Sequence, residues 1–420
     1  MQTFRKILLF TLCIAAFTSL VYAETPEIKW EEKGGRWTAM IHYESAISEN
    51  GKLRVGNFTG SMDFTGTKTK VAVIDIEFQA DRGMSKKRAE RLLEEMIPDF
   101  SENLDILTIK GQSRRHWRGN HNYSMNLSAT LPSKFNIDAA TSGGSIEVSD
   151  LEGYADIATS GGSISITRFK GDLDGATSGG SVTVEDVEGD VDVATSGGSI
   201  DLNNITGEVE AATSGGSLHI RNINGSLDAA TSGGSIHASN LDVRDVDLAT
   251  SGGSVTIYDV VVEDEGEFST SGGSMNIEDV KGIISVRNSG GRISVDHFEG
   301  DLDIRSGSGN LDLSSISGSL FATTGSGNVR AEFDNPEADI RRVVIETGNG
   351  NIRLQWPEQI GATIDAVVRD AWKRNSISSD YKLEIDTERD HYAQAMGKIG
   401  DGKVDIRLKT GHGDIDIRKK

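Results

Sequence analysis

The sequence predicts an all-β fold: a parallel β-solenoid whose coils hold about 18 residues and two short strands each. The first observation is a repeat. Thr-Ser-Gly-Gly-Ser begins at Thr141, Thr159, Thr177, Thr195, Thr213, Thr231, Thr250 and Thr270, and Asn-Ser-Gly-Gly-Arg follows at Asn288. Successive copies lie 18, 18, 18, 18, 18, 19, 20 and 18 residues apart. Units this short cannot bury a core alone, so they must stack.

The second observation is that side-chain character is constant at fixed positions of the repeat. The positions equivalent to Ile146, Val148 and Leu151 are apolar in every unit, whereas the position equivalent to Glu147 is polar in every unit. Stacked parallel strands with one face buried and one exposed produce this alternation. The repeat therefore indicates strands rather than helices.

The third observation is glycine at two places in each unit. One is the Gly-Gly of the pentapeptide, and the other is a column nine residues later at Gly153, Gly171, Gly189, Gly207, Gly225, Gly282 and Gly300. We expect both to be corners, where coils approach closely and Thr and Ser hydroxyls bond the backbone. The units ending at Thr250 and Thr270 lack the second glycine and carry one and two extra residues, which predicts bulges.

Residues 1–23 read as a signal peptide. Arg5 and Lys6 precede the apolar run from Ile7 to Leu20, and Val21-Tyr22-Ala23 is a small-residue cleavage site before Glu24. We expect export, with cleavage near Ala23 and a final location in the periplasm or at the cell surface. The only cysteine is Cys13, so the mature chain has no thiol.

The rest of the chain divides into three regions. Residues 24–137 form a β-rich N-terminal capping region, and one amphipathic helix is expected over 85–98, with Ser85 as its cap. Residues 138–332 are the solenoid repeats. Residues 333–420 are the end of the solenoid and a C-terminal β cap, since an open coil end would be a sticky edge.

The net charge of the chain limits the class of partner that it can bind. Without Arg5 and Lys6 the chain carries 41 basic and 64 acidic residues, a balance of −23. This disfavours nucleic acid as a partner. No segment of the mature chain is apolar enough to be a transmembrane span.

The most distinctive polar feature is an acidic position three residues before each corner threonine. It is occupied by Asp138, Asp156, Asp174, Asp192, Glu210, Asp228, Asp247 and Glu267. Like charges on neighbouring strands destabilise a sheet, so an acid in eight successive units is either a solvated face that keeps the solenoid soluble or a face that binds cations or a cationic partner.

The residue pattern gives little support for an activity other than binding. No catalytic, cofactor-binding or metal-binding set is predicted. His219 and His237 stack one coil apart but lack a further His or Cys partner, which favours a solvated pair. Two alternatives stay open: a carbohydrate-active enzyme on a β-helix, and a calcium-binding solenoid, although the repeated corner has no carboxylate.

Three stretches resemble the bacterial putative-adhesin family, a domain-of-unknown-function family of β-strand-repeat envelope proteins. They are Gly51-Lys-Leu-Arg-Val55 with Gly60-Ser-Met-Asp-Phe64, the serial Ser-Gly-Gly-Ser corners, and the closing segment from Gly402 to Ile417. The resemblance implies the same fold and no catalytic residues. We therefore expect a non-enzymatic, exported envelope protein that binds an envelope or surface ligand, such as a polysaccharide or a protein, for adhesion or a structural role.

Overall fold

The computed structural model describes residues 26–47, 49–112, 123–335, 339–371, 376–386 and 391–420. The predicted signal peptide lies outside these residues. The strands are β1 (Glu27–Lys33), β2 (Arg36–Ser45), β3 (Lys52–Phe58), β4 (Met62–Thr67), β5 (Ala72–Ala80), β6 (Asp99–Asn103), β7 (Ile106–Lys110), β8 (Tyr123–Pro132), β9 (Asn136–Thr141), β10 (Ile146–Glu152), β11 (Ala155–Thr159), β12 (Ile164–Lys170), β13 (Leu173–Thr177), β14 (Val182–Glu188), β15 (Val191–Thr195), β16 (Ile200–Thr213), β17 (Leu218–Thr231), β18 (Ile236–Thr250), β19 (Val255–Val262), β20 (Gly266–Thr270), β21 (Met275–Asn288), β22 (Ile293–Ser306), β23 (Leu311–Ser317), β24 (Leu320–Ser326), β25 (Val329–Phe333), β26 (Arg342–Asn349), β27 (Ile352–Trp356), β28 (Ala362–Val368), β29 (Ile377–Ser379), β30 (Glu384–Asp386), β31 (Ala393–Ile399), β32 (Val404–His412) and β33 (Ile415–Lys419). The helix described is α1 (Lys86–Met96).

The repeats form the predicted parallel solenoid, with two sheets running along its length. We call the sheet containing β10, β12 and β14 the A face, and the sheet containing β11, β13 and β15 the B face; β16, β17 and β18 bend through both. Each residue lies opposite its equivalent one coil later, as Ile146 does opposite Ile164. Inward side chains are almost fully buried, as at Ile146 and Val148, so the apolar columns become one continuous core.

The Thr-Ser-Gly-Gly-Ser corner places its threonine inside the protein. Thr195 Oγ1 donates a hydrogen bond to the Gly180 carbonyl oxygen of the preceding coil at 2.8 Å, and it accepts one from the Gly198 amide at 3.3 Å. The same pair of bonds recurs at Thr159, Thr177, Thr213, Thr231, Thr250 and Thr270. Each buried bond contributes about 1 kcal/mol, so the column joins every coil to the next. The hydroxyls therefore satisfy corner backbone groups, as expected.

Sequence analysis missed a third bend in each coil. One residue between the two glycine corners has a left-handed backbone, with φ between 52° and 58°, at Asp150, Arg168, Asp186, Asn204, Asn222, Asn240, Asp259, Asp279, His297 and Ser315. Asn and Asp adopt this conformation more readily than other non-glycine residues, and they hold seven of these ten positions. The bend turns residues three apart, such as Val148 and Leu151, toward the same core.

The two irregular units contain the predicted bulge. The pairing of β17 with β18 shifts register between Gly225 and Leu227, where the longer strand accommodates one extra residue. In the longer unit the strand is interrupted. Two strands, β19 and β20, occupy the place that a single continuous strand occupies in β18 and β21. The stack nevertheless resumes in register at β21.

The N-terminal end is closed by antiparallel strands and α1. On the A face the strand order runs β10, β4, β8, β5, β2, β1, and on the B face it runs β9, β3, β7, β6. α1 buries Ala89, Leu92, Leu93 and Met96, the helical face that the sequence predicts. Ser85 occupies the cap position, but its side chain makes no capping hydrogen bond.

The C-terminal end does not stack in sequence order. β32 lies between β26 and β28, and β33 lies between β27 and β29, all in parallel. The last residues of the chain thus form an inner coil, and an earlier segment covers it. β31 and β30 extend the B face antiparallel beyond β28.

Candidate interaction face

The eight predicted acidic residues lie in one ladder on the outside of the B face. We call this set the acidic ladder: Asp138, Asp156, Asp174, Asp192, Glu210, Asp228, Asp247 and Glu267. Each member is directly opposite the next, and the register survives both irregular units. Six of the eight are exposed, while Asp138 and Glu267 at the ends are partly buried.

Basic side chains hold the two ends of the acidic ladder. Lys52 and Arg54 each contact Asp138 at 3.0 Å, and Arg287 pairs with Glu267. Burial raises the pKa of Asp138, but the hydrogen bonds from Lys52 and Arg54 outweigh it and leave that pKa below its usual value. Among the described residues, the six inner members have no basic partner within 4.0 Å.

The charged form of two inner carboxyl groups of the acidic ladder is disfavoured by burial and by neighbouring carboxylates. Burial, together with the charges of Asp138 and Asp174, raises the pKa of Asp156. Burial and the charge of Asp228 likewise raise the pKa of Asp247. A raised pKa in the folded state means that both groups favour folding while protonated and oppose it as pH rises through that pKa. The ladder is therefore kept at a cost to stability at neutral pH.

A second acidic column, which sequence analysis missed, flanks the acidic ladder. Two residues before five of the eight ladder members stand Asp172, Asp190, Glu208, Asp245 and Glu265. Residues two apart on a strand share a face, so the two columns lie side by side, roughly 6.6 Å apart, with members roughly 4.8 Å apart along the stack. The signal was present in the sequence, five residues before most corner threonines. Part of this column is structural, since Asp190 Oδ1 accepts a hydrogen bond from the Glu208 amide at 2.9 Å.

The third column of the B face is made of small side chains. Two residues after the acidic ladder, seven successive units carry alanine, at Ala140, Ala158, Ala176, Ala194, Ala212, Ala230 and Ala249. Short side chains leave the carboxylates standing above a flat sheet. The arrangement can attract cationic groups that repeat along a line.

Tyr154 contacts the acidic ladder near its N-terminal end. Its hydroxyl donates a short hydrogen bond to Asp174, and this bond raises the pKa of Tyr154 to about 12. The phenol thus stays protonated at physiological pH and shields one carboxylate. Within the described ranges, no group of three or more His, Asp or Glu side chains is arranged to hold a metal ion. The helix found there also lacks the length and hydropathy of a membrane span.

Comparisons with solved structures find matches of low sequence identity. A putative cell adhesion protein from Clostridium sporogenes is 12% identical, with 94% of this chain and 99% of that chain covered and a TM-score of 0.17. A putative adhesin from Bacteroides fragilis is 8% identical, with 91% and 97% covered and a TM-score of 0.19. A putative lipid binding protein from Parabacteroides distasonis is 14% identical, with 75% and 96% covered and a TM-score of 0.21. Superpositions this poor say nothing about the ligand of this chain.

No curated protein matches the chain. Residues 221–359 and 302–418 both match the Toastrack DUF4097 family, so the matches together extend through the later repeats and the C-terminal end. The predicted resemblance to a domain-of-unknown-function family of β-repeat proteins is confirmed. Over residues 221–418 the chain is similar to the Toastrack DUF4097 family.

Proposed function

We propose that this protein is an exported, non-enzymatic envelope protein that binds a cationic polymer or surface along its B face. The observation that carries the proposal is the acidic ladder. Its eight carboxylates keep their register over eight coils, although like charges in register destabilise a sheet. Solubility alone requires no such alignment, because scattered charges provide it equally well.

The geometry suits many weak contacts in place of one strong one. A single exposed ion pair contributes about 0.2–1 kcal/mol. Contacts made by one linked partner add through high effective concentration, so a row of carboxylates can bind a polymer firmly. Because the contacts are exposed, salt must weaken binding.

The test uses poly-L-lysine of defined length as the probe. Asp174→Asn, Asp192→Asn, Glu210→Gln and Asp228→Asn together remove four charges from the middle of the ladder. At roughly 0.5 kcal/mol for each contact, binding should weaken on the order of 30-fold. Surface plasmon resonance at several salt concentrations measures both the affinity and its salt dependence.

A matched control removes four charges from the A face. Glu147→Gln, Glu185→Gln, Glu278→Gln and Asp312→Asn change the net charge equally but leave the ladder intact. Affinity should fall less than threefold. Equal losses in the two variants would show that net charge, rather than the ladder, binds the probe. Deleting residues 159–194 removes two whole coils and should lower affinity gradually; complete loss would contradict a distributed surface.

Export is the second part of the proposal, and it depends on residues 1–23. The mature protein should begin at Glu24, because the small-residue site before it suits signal peptidase. N-terminal sequencing of protein purified from cell envelopes measures this directly. An intact Met1 in envelope-associated protein would contradict cleavage.

A further inference from the structure

A depression of about 460 Å³ lies on the B face at the C-terminal end of the acidic ladder. It is lined by side chains from five successive coils, including Glu265, Ile283, Asp301 and Phe321. Ile283 is 53% exposed and Phe321 is 39% exposed. Exposed apolar side chains that line a concave surface of this size are typical of a site for a small ligand.

Short side chains give the depression its floor. Ser285 lies directly opposite Glu267, so the column of the acidic ladder loses its carboxylate at this coil. Ser319 precedes Leu320, which lies opposite Leu302 two coils later. A serine side chain stands lower above the sheet than an isoleucine or phenylalanine side chain does. The surface is therefore concave between Ile283 and Phe321.

Acidic and aliphatic side chains alternate along one column of this depression. Ile283 lies directly opposite Asp301. Glu265 lies one coil before Ile283, because the next residue, Gly266, pairs with Ile284. Adjacent coils are roughly 4.8 Å apart, so the two acidic positions are roughly 9.6 Å apart along the stack. The exposed aliphatic side chain stands midway between them.

Both acidic side chains are exposed and lack a basic partner. In the part of the chain that the structure describes, no Lys, Arg or His nitrogen lies within 4.0 Å of Glu265 or Asp301. The nearby Arg305 is already paired with Asp303 at 2.9 Å. The complementary ligand therefore carries two positive groups that are separated by an apolar stretch.

We propose that this depression binds a linear aliphatic diamine or polyamine. One terminal ammonium group lies at Glu265, the other lies at Asp301, and the methylene chain between them packs on Ile283. An extended chain advances roughly 3.5 Å for every three bonds. Spermidine and 1,8-diaminooctane have nine bonds between their terminal nitrogens, so both span roughly 10.5 Å, which suits the distance between the two acidic positions.

The site differs from the acidic ladder in what it selects. The ladder presents a carboxylate at every coil, so it attracts a cation of any length. The depression presents its two carboxylates two coils apart with an aliphatic side chain between them. It should therefore prefer one chain length, and this preference does not depend on the ladder binding a cationic polymer.

The experiment titrates the full mature chain with α,ω-diamines of four to twelve carbons. Isothermal titration calorimetry measures each affinity, and NMR of the isoleucine δ1-methyl groups shows whether the Ile283 signal shifts. Affinity should be highest near eight carbons. n-Octylamine, which has the same chain and one ammonium group, should bind about threefold more weakly than 1,8-diaminooctane.

Variants separate the contribution of the aliphatic side chain from that of charge. Ile283→Ser should weaken binding of 1,8-diaminooctane about fivefold and abolish the preference for chain length. Ile283→Leu keeps an aliphatic side chain and should keep both. Glu265→Gln and Asp301→Asn should each weaken binding about threefold. All three positions are exposed, and circular dichroism confirms that each variant is folded.

The variant that removes four charges from the acidic ladder is the remaining control. It should keep the preference for eight carbons, because the substituted residues lie outside the depression. Affinity that rises steadily with chain length would overturn the proposal. So would a preference that survives Ile283→Ser but is lost in the ladder variant. Loss of poly-L-lysine binding alone would count against the ladder and leave this site intact.

Discussion

Gly216→Ala is expected to destabilise the solenoid severely, whereas Gly215→Ala one residue earlier is expected to be tolerated. A Cβ at Gly216 would lie 1.9 Å from the carbonyl oxygen of Gly198 and 2.3 Å from its carbon, both backbone atoms of the coil below. Backbone of a stacked coil cannot move without breaking its own ladder. The cost should be roughly 3 kcal/mol or more.

The neighbouring glycine is a matched control within the same corner. A Cβ at Gly215 meets nothing closer than 3.6 Å, which is ordinary van der Waals contact. Gly215→Ala should therefore change stability by less than about 1 kcal/mol. Urea denaturation followed by circular dichroism compares the variants, and hydrogen exchange shows whether the damage stays within coils next to 216. Equal stabilities would contradict the close approach of the coils.

The pair recurs, so the prediction can be repeated along the chain. Gly180 and Gly198 have the same 1.9–2.0 Å clash, and Gly179 and Gly197 have the same open space. In every unit the second glycine should be sensitive and the first tolerant. A substitution at Gly180 should loosen its own coils more than distant ones, because units of a solenoid contact only their neighbours.

Removing residues 403–420 is expected to release the C-terminal end of the protein, although only 18 residues are lost. The segment forms β32 and β33, which are paired on both sides. It also buries five aliphatic side chains at 1% exposure or less, namely Val404, Ile406, Leu408, Ile415 and Ile417. At about 1.5–3 kcal/mol each, their loss removes on the order of 10 kcal/mol of hydrophobic stabilisation.

Limited proteolysis and hydrogen exchange measure this outcome. Residues 362–399 should lose protection, because β28 and β29 pair in parallel only with the deleted strands. The repeats before them should stay protected. The control deletes residues 26–34, which removes β1, an edge strand that pairs only with β2 and is mostly exposed. If both deletions leave residues 362–399 equally protected, the inner position of β32 and β33 is wrong.

The order of the terminal strands could not be predicted, for a physical reason. Periodicity identifies neighbours when each unit pairs with the next unit in sequence. A segment without periodicity separates β26 from β32. Their pairing depends on which apolar strand edges remain unpaired once the repeats have stacked. The same holds for β3 and β9 at the other end. Local pattern contains no information about such non-local choices.

The acidic ladder was predicted almost completely, while its surroundings were not. Its members share one position in the repeat, and in-register stacking turns that position into a column. The flanking acids, such as Asp172 and Glu208, were not predicted, because their column is interrupted by Tyr154 and Ser226 and so lacks one constant character. The cations at its ends could not be found, since Arg54 reaches Asp138 from 84 residues away.

The sequence by itself determined the repeat, the strands, the apolar core and the corners, because these follow from short-range alternation and from glycine at a fixed period. Only the tertiary structure decided which glycine of each Gly-Gly pair lies against the neighbouring coil, and that β32 and β33 form an inner coil covered by β28 and β29. It also decided that the rings of His219 and His237 are parallel within 4°. These features depend on distances between coils, which spacing along the chain does not fix.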